Sequence, residues 1–87
     1  MQTNEPETRY QGWANPDTWA VWLYLGDHAE LYRRARATTP HTPASIETLM
    51  RNHAPRGVPD LVVRRFHAPD RYAWTNWGEI ADMLNRP

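Results

Sequence analysis

Residues 15–25 read NPDTWAVWLYL and carry the clearest helix signal in this chain of 87 residues. Asparagine is a preferred N-cap, proline suits the first helical position, and an acid in the first turn suits the helix dipole. Trp19, Trp22 and Leu23 then recur at helical spacing. The pattern predicts a largely buried helix over 16–25.

The next segment predicts a second helix directly after the first. Gly26 suits the C′ position that ends many helices, so we expect the first helix to stop there. Asp27 followed by Glu30 matches a capping box, which predicts a helix over 28–37. One kinked helix that continues through Gly26 is the alternative.

The middle of the chain contains one clear helix signal and one ambiguous segment. Thr42-Pro43 repeats the cap-then-proline start and predicts a helix over 43–53. His53 lies at the end of the apolar stripe of this helix. We interpret it either as partly buried or as a residue that interacts with the helix dipole. Residues 59–66 are compatible with a short helix or a short strand, and the lack of a predicted partner strand favours the helix.

The last helix is predicted from its cap. Asn76 and Glu79 match an N-x-x-E capping box, and Trp77 opens an apolar stripe that continues to about Asn85. The predicted fold class is therefore all-α: a compact single domain of four or five short helices over residues 12–87, preceded by a flexible arm over residues 1–11.

Five tryptophans in so short a chain suggest how the core is filled. A domain of this size buries only about 60–65% of its unfolded surface, and each large aromatic side chain buries much area. We therefore predict a Trp-rich core with Trp19, Trp22 and Trp77, and a Trp13 that packs onto the first helix. A surface-exposed aromatic binding site is the alternative.

Composition excludes several classes of protein. With no cysteine, the chain has no disulfide, no cysteine-ligated zinc and no thiol chemistry. No apolar run approaches the length of a membrane span, and the start of the chain lacks the basic and apolar regions of a signal peptide. We expect a cytoplasmic protein that does not enter membranes.

Catalytic and metal-binding patterns are weak. Four histidines lie apart in sequence and form neither an H-x-x-x-H pair nor an H-E-x-x-H motif: His28, His41, His53 and His67. Glu79 and Asp82 are three residues apart on the predicted last helix, but capping already accounts for Glu79. We expect no enzyme activity, no metal and no cofactor.

Charge is distributed unevenly along a chain whose net charge is zero. All ten basic residues are arginine, and eight of them lie within residues 31–71, which hold only three acids. One interpretation is that these arginines form a solvated face with no binding role. The other is that they form a binding surface, first for an acidic protein partner and second for nucleic acid. No predicted helix combines a basic face with side chains suited to base readout, which places nucleic acid second. The candidate partner-binding residues are Arg33, Arg34, Arg36, Arg64 and Arg65.

Three segments together carry a family resemblance: GWANPDTWAVWL at 12–23, the acidic turn and Leu-Tyr pair of DHAELY at 27–32, and NWGEIA at 76–81. They resemble an uncharacterised family of small proteins from phages, plasmids and other mobile elements. This chain has Pro16-Asp17 where the family usually has Tyr-Glu.

The family has no established activity, so the resemblance implies a context rather than catalytic residues. It implies a non-catalytic accessory protein that binds a host or phage protein and inhibits host defence machinery, of the anti-CRISPR or anti-restriction type. A small nucleic-acid-binding or regulatory module is the alternative.

Overall fold

The computed structural model describes residues 11–59, 61 and 70–86. These residues form four helices and no strand: α1 (Pro16–Asp27), α2 (Ala29–Ala37), α3 (Pro43–His53) and α4 (Trp77–Asn85). The predicted all-α fold class is confirmed. The proposed arm lies almost entirely outside the described residues, as does most of segment 59–66 with Arg64 and Arg65. Helix or strand in that segment therefore stays open.

The boundary between α1 and α2 differs from the prediction. Helix α1 continues through Gly26, and His28 is the residue between the two helices. The His28 Nδ1–H donates to the carbonyl of Tyr24 at 2.8 Å, and the two rings stack with centroids 3.9 Å apart. This bond satisfies one of the carbonyls that a helix end leaves without a partner. The predicted Asp27–Glu30 capping box is wrong, because His28 is the N-cap of α2 and its side chain makes no capping bond.

The other three helix starts are confirmed. Asn15 Oδ1 accepts from the Thr18 N–H at 2.8 Å at the start of α1, and Thr42 forms a capping box with Ser45 at the start of α3. At the start of α4, the Asn76 side chain accepts from the Glu79 N–H at 3.1 Å. Each cap acts across three residues, so short-range sequence signals suffice to find it.

The caps of α1 and α4 share one hydrogen-bond network. Thr18 Oγ1 donates to Asn15 Oδ1 at 2.7 Å and accepts from the Asn76 N–H at 2.8 Å. The predicted capping box of α4 is therefore only half formed, because the Asn76 N–H bonds to Thr18 rather than to Glu79. Glu79 Oε1 instead accepts from the Ala14 N–H at 2.7 Å. These bonds hold the lead-in to α1 against the first turn of α4.

The core between the helices is mainly aliphatic. Trp77 is buried in it, whereas Trp13, Trp19 and Trp22 pack against it half-buried, and Trp74 is 40% exposed. Most of the tryptophans therefore pack at the border of the core rather than fill it. The largest fully buried side chains are Tyr72, Leu25, Ile46, Met50, Ile80, Leu84, Val21, Val58 and Thr18.

The loop before α3 joins three helix ends. The His41 N–H donates to Asn85 Oδ1 at 2.7 Å, and Asn85 Nδ2 donates back to the His41 carbonyl at 2.9 Å. The buried His41 ring also bonds through Nε2 to the Ala35 carbonyl at 2.8 Å. The last turns of α2 and α4 therefore meet at the start of α3. Within the described part of the chain, no helix has the length and apolar character needed to cross a membrane.

Candidate protein-binding surface

Three half-buried aromatic side chains form a continuous feature that we call the aromatic wall: Trp13, Trp22 and Tyr32. The Trp13 and Trp22 rings lie 5.3 Å apart at 33°, and Trp22 meets Tyr32 edge-on at 6.3 Å and 81°. Both arrangements are within the geometry that aromatic pairs favour. The prediction that Trp13 packs on the first helix is confirmed, and the contact is made at Trp22.

A turn at the end of the lead-in sets the position of Trp13. Gln11 and Gly12 both have positive φ angles, 52° and 85°. Glycine adopts this left-handed conformation without strain, which accounts for its place before Trp13. The turn returns the chain onto α1 and α4, where Trp13 borders a depression in the surface.

That depression, which we call the α4 cleft, is open and has a volume of about 360 Å³. One side is formed by Gly12 and Trp13, and the other by one face of α4 whose residues recur at helical spacing. This volume lies at the lower end of the range for small-molecule sites and suits a single side chain. On this side the cleft is lined by three α4 residues and by the residue that follows the helix: Glu79, Asp82, Met83 and Arg86.

The charges along the cleft are mixed but mainly acidic. Glu79 is fixed by its bond to the Ala14 N–H. Asp82 is exposed and makes no ion pair with any residue that the structure describes. Arg86 follows Asp82 by one helical turn. Two carboxylates and one guanidinium group therefore lie along the same side of the cleft.

The three predicted arginines of α2 have different surroundings. Arg33 pairs with Glu30 at 2.9 Å, but the two side chains are 70% and 78% exposed, so the pair is weak. Arg34 is exposed and has no ion pair within the described ranges. Arg36 instead donates to the carbonyls of Leu84 and Arg86, at 3.2 and 3.1 Å. Arg36 thus caps the end of α4, where a cation suits the dipole, and it is not available as the sequence interpretation assumed.

A second basic area lies beyond the end of α3. Arg51 is engaged there, with both terminal nitrogens on the Asp70 carboxylate at 3.0 and 2.7 Å. This hydrogen bonding from Arg51, aided by the Tyr72 N–H, lowers the pKa of Asp70 below its ordinary value. Arg56 and Arg71 are exposed, and a Cβ at Gly57 would lie 2.7 Å from the Arg71 Cβ. The segments that carry Arg56 and Arg71 are therefore neighbours.

The histidines that the structure describes differ in their burial and contacts. His41 is buried among hydrogen bonds, whereas His28 and His53 are exposed with ring centroids 6.4 Å apart. The exposed position of His53 in the last turn of α3 fits the dipole interpretation rather than the buried one. Among residues 11–59, 61 and 70–86, no group of three or more possible ligands is placed to hold a metal ion.

The sequence interpretation missed the α4 cleft. The residues on the α4 side of the cleft have the i, i+3, i+4, i+7 spacing of one helix face. The opposite side is formed by Trp13, which is far from α4 in sequence, so sequence patterns do not predict that the two sides meet. Comparisons of this chain with protein-family models, with curated proteins and with solved structures found no match.

Proposed function

We propose that the protein is a non-catalytic module that binds a partner protein through the aromatic wall and the exposed face of α2. The observation that carries this proposal is that α2 supplies both the Tyr32 ring at the end of the wall and the exposed side chains of Arg33 and Arg34. Tryptophan, tyrosine and arginine are the residue types enriched at interface hot spots.

The charge of α2 suggests the chemistry of the partner. Arg34 is exposed and Arg33 is held only by a weak, exposed pair, so both are available to an acidic surface. Such charges at the rim of an interface steer association. Together with the resemblance to mobile-element proteins, this supports a cytoplasmic role as an inhibitor of a host or phage protein, with a CRISPR effector or a restriction enzyme as the leading partner class.

Affinity capture tests the proposal. The immobilised protein is incubated with host lysate, captured proteins are identified by mass spectrometry, and binding is repeated with the purified partner. We expect capture by the unchanged chain and by Arg56→Glu, and reduced capture by Arg34→Glu, since Arg34 lies on the exposed face of α2 and Arg56 does not. Equal loss in both variants would point to a general effect of charge and contradict the assigned surface.

Nucleic-acid binding is the second candidate, favoured by the neighbouring segments that carry exposed Arg56 and Arg71. We expect no binding to DNA or RNA tighter than about 10 µM at physiological salt. A gel shift at nanomolar concentration would reverse the ranking, provided that Arg56→Glu with Arg71→Glu, or Arg64→Ala with Arg65→Ala, abolishes it. A true phosphate contact also requires affinity to fall steeply as salt is raised.

A further inference from the structure

We infer that the α4 cleft receives the guanidinium group of an arginine side chain of the partner protein. This inference deepens the proposed function and rests on it. The cleft lies beside Trp13 at one end of the aromatic wall, and α2, which also carries Arg33, supplies Tyr32 at the other end. A partner can therefore present acidic groups to α2 and a single arginine to the cleft.

The first support is the shape and chemistry of the cleft wall. Trp22 packs against Trp13 with ring centroids 5.3 Å apart, which holds the Trp13 indole beside the cleft. An indole face attracts cations, and the planar guanidinium group stacks on it better than an ammonium group does. Met83 adds apolar surface for the methylene groups of such a side chain.

The second support is the charge of the facing helix. Asp82 is exposed and free of ion pairs with the described residues, so its carboxylate can accept two parallel hydrogen bonds from a guanidinium group. Glu79 adds a second carboxylate, although it already accepts a bond from Ala14. An anionic ligand would meet both carboxylates and is disfavoured.

The third support comes from the end of α4 itself. The cleft extends along α4 toward its C-terminus, where the helix dipole favours positive charge. Arg36 already uses this end by donating to the carbonyls of Leu84 and Arg86. Arg86 lines the same cleft without an ion pair to Asp82, and its positive charge makes it a competitor of the partner's arginine for the site.

The test uses a small probe and needs no partner. N-acetyl-arginine methylamide is titrated into the 15N-labelled protein, and the Trp13 indole N–H signal is followed, with N-acetyl-citrulline methylamide as the neutral probe of matched shape. We expect the arginine probe to bind with a dissociation constant on the order of 1 mM, and the citrulline probe to bind at least about fivefold more weakly.

Variants of the cleft give the sharper result. Asp82→Asn should weaken binding of the arginine probe, Arg86→Gln should strengthen it by removing the competitor, and Asp27→Asn should leave it unchanged because Asp27 lies outside the cleft. Circular dichroism verifies that each variant is folded. The inference is overturned if the two probes bind equally, if neither shifts the Trp13 signal, or if binding survives Asp82→Asn unchanged.

The outcome is separable from that of the proposed function. Binding of the arginine probe without capture of any partner would leave the cleft assignment standing and remove the protein-binding role. Capture of a partner that is unaffected by Asp82→Asn, together with no probe binding, would retain the role and reject the cleft as an arginine site.

Discussion

Thr18 and Asn76 couple the first turns of α1 and α4, because the Asn76 N–H donates to Thr18 Oγ1 at 2.8 Å. The same hydroxyl donates to Asn15 Oδ1 at 2.7 Å, so one buried group serves the caps of both helices. Segments 12–23 and 76–81 are therefore joined by one hydrogen-bond network.

The first prediction concerns this shared hydroxyl. Thr18→Val keeps the shape of the side chain but removes both its donor and its acceptor. We expect a loss of about 1–3 kcal/mol in the free energy of unfolding, because the Asn76 N–H and the Asn15 amide oxygen each lose a partner. Urea denaturation measures this value.

Thr48→Val is the matched control. Thr48 is exposed on α3, so the same substitution there should change the free energy of unfolding by no more than about 0.5 kcal/mol. A Thr18→Val variant as stable as the Thr48→Val variant would show that the coupled caps contribute nothing to stability.

Contacts between residues that are close in sequence can be predicted from sequence patterns, whereas contacts between residues far apart in sequence cannot. The caps at Asn15 and Asn76 act within three residues and were predicted correctly. The bond from Ala14 to Glu79 spans 65 residues, and the bond from Arg36 to Leu84 spans 48. Local patterns hold no information on such contacts, so the α4 cleft and the structural role of Arg36 emerged only from the fold.

The end of α1 shows a different limit. Gly26 predicts that α1 ends at residue 25, but the helix continues to Asp27. Stacking of His28 on Tyr24, together with its bond to the Tyr24 carbonyl, stabilises the later end. The local pattern around Gly26 does not contain this ring contact.

The second prediction concerns alkaline pH. Burial raises the pKa of Tyr72 from 10.0 to about 12, and its hydroxyl donates to the Ala54 carbonyl at 2.6 Å. Because the pKa is higher in the folded state, this contribution to stability is complete below about pH 10 and is lost as the pH rises toward about 12. Denaturation at a series of pH values should show this decline.

Tyr72→Phe removes the titrating group while keeping the ring. We expect it to lower the free energy of unfolding at pH 7 by about 0.5–1.5 kcal/mol and to reduce the alkaline decline. In an ultraviolet titration the variant should also lack the tyrosine ionisation near pH 12. An unchanged alkaline profile would contradict the assignment of the decline to Tyr72.

The third prediction separates the arginines of α2. Arg36→Ala should lower the free energy of unfolding by about 1 kcal/mol, since two carbonyls at the end of α4 lose a charged donor that is itself partly solvated. Arg34→Ala should change it by less than about 0.5 kcal/mol, because no described residue pairs with Arg34. Thermal denaturation compares the two, and equal effects would remove the structural role given to Arg36.

The last prediction concerns the rate at which the proposed partner binds. Arg34 is exposed on α2, so its charge acts mainly during the encounter with an acidic surface. Arg34→Glu should slow association several-fold, on the order of fivefold at low salt, and leave the dissociation rate nearly unchanged. The difference should shrink near 1 M salt, where the screening length falls to about 3 Å.

Surface plasmon resonance with the purified partner measures both rates, and Arg56→Glu serves as the control of equal charge. A faster dissociation rate without slower association would place Arg34 in direct contact with the partner and contradict a steering role.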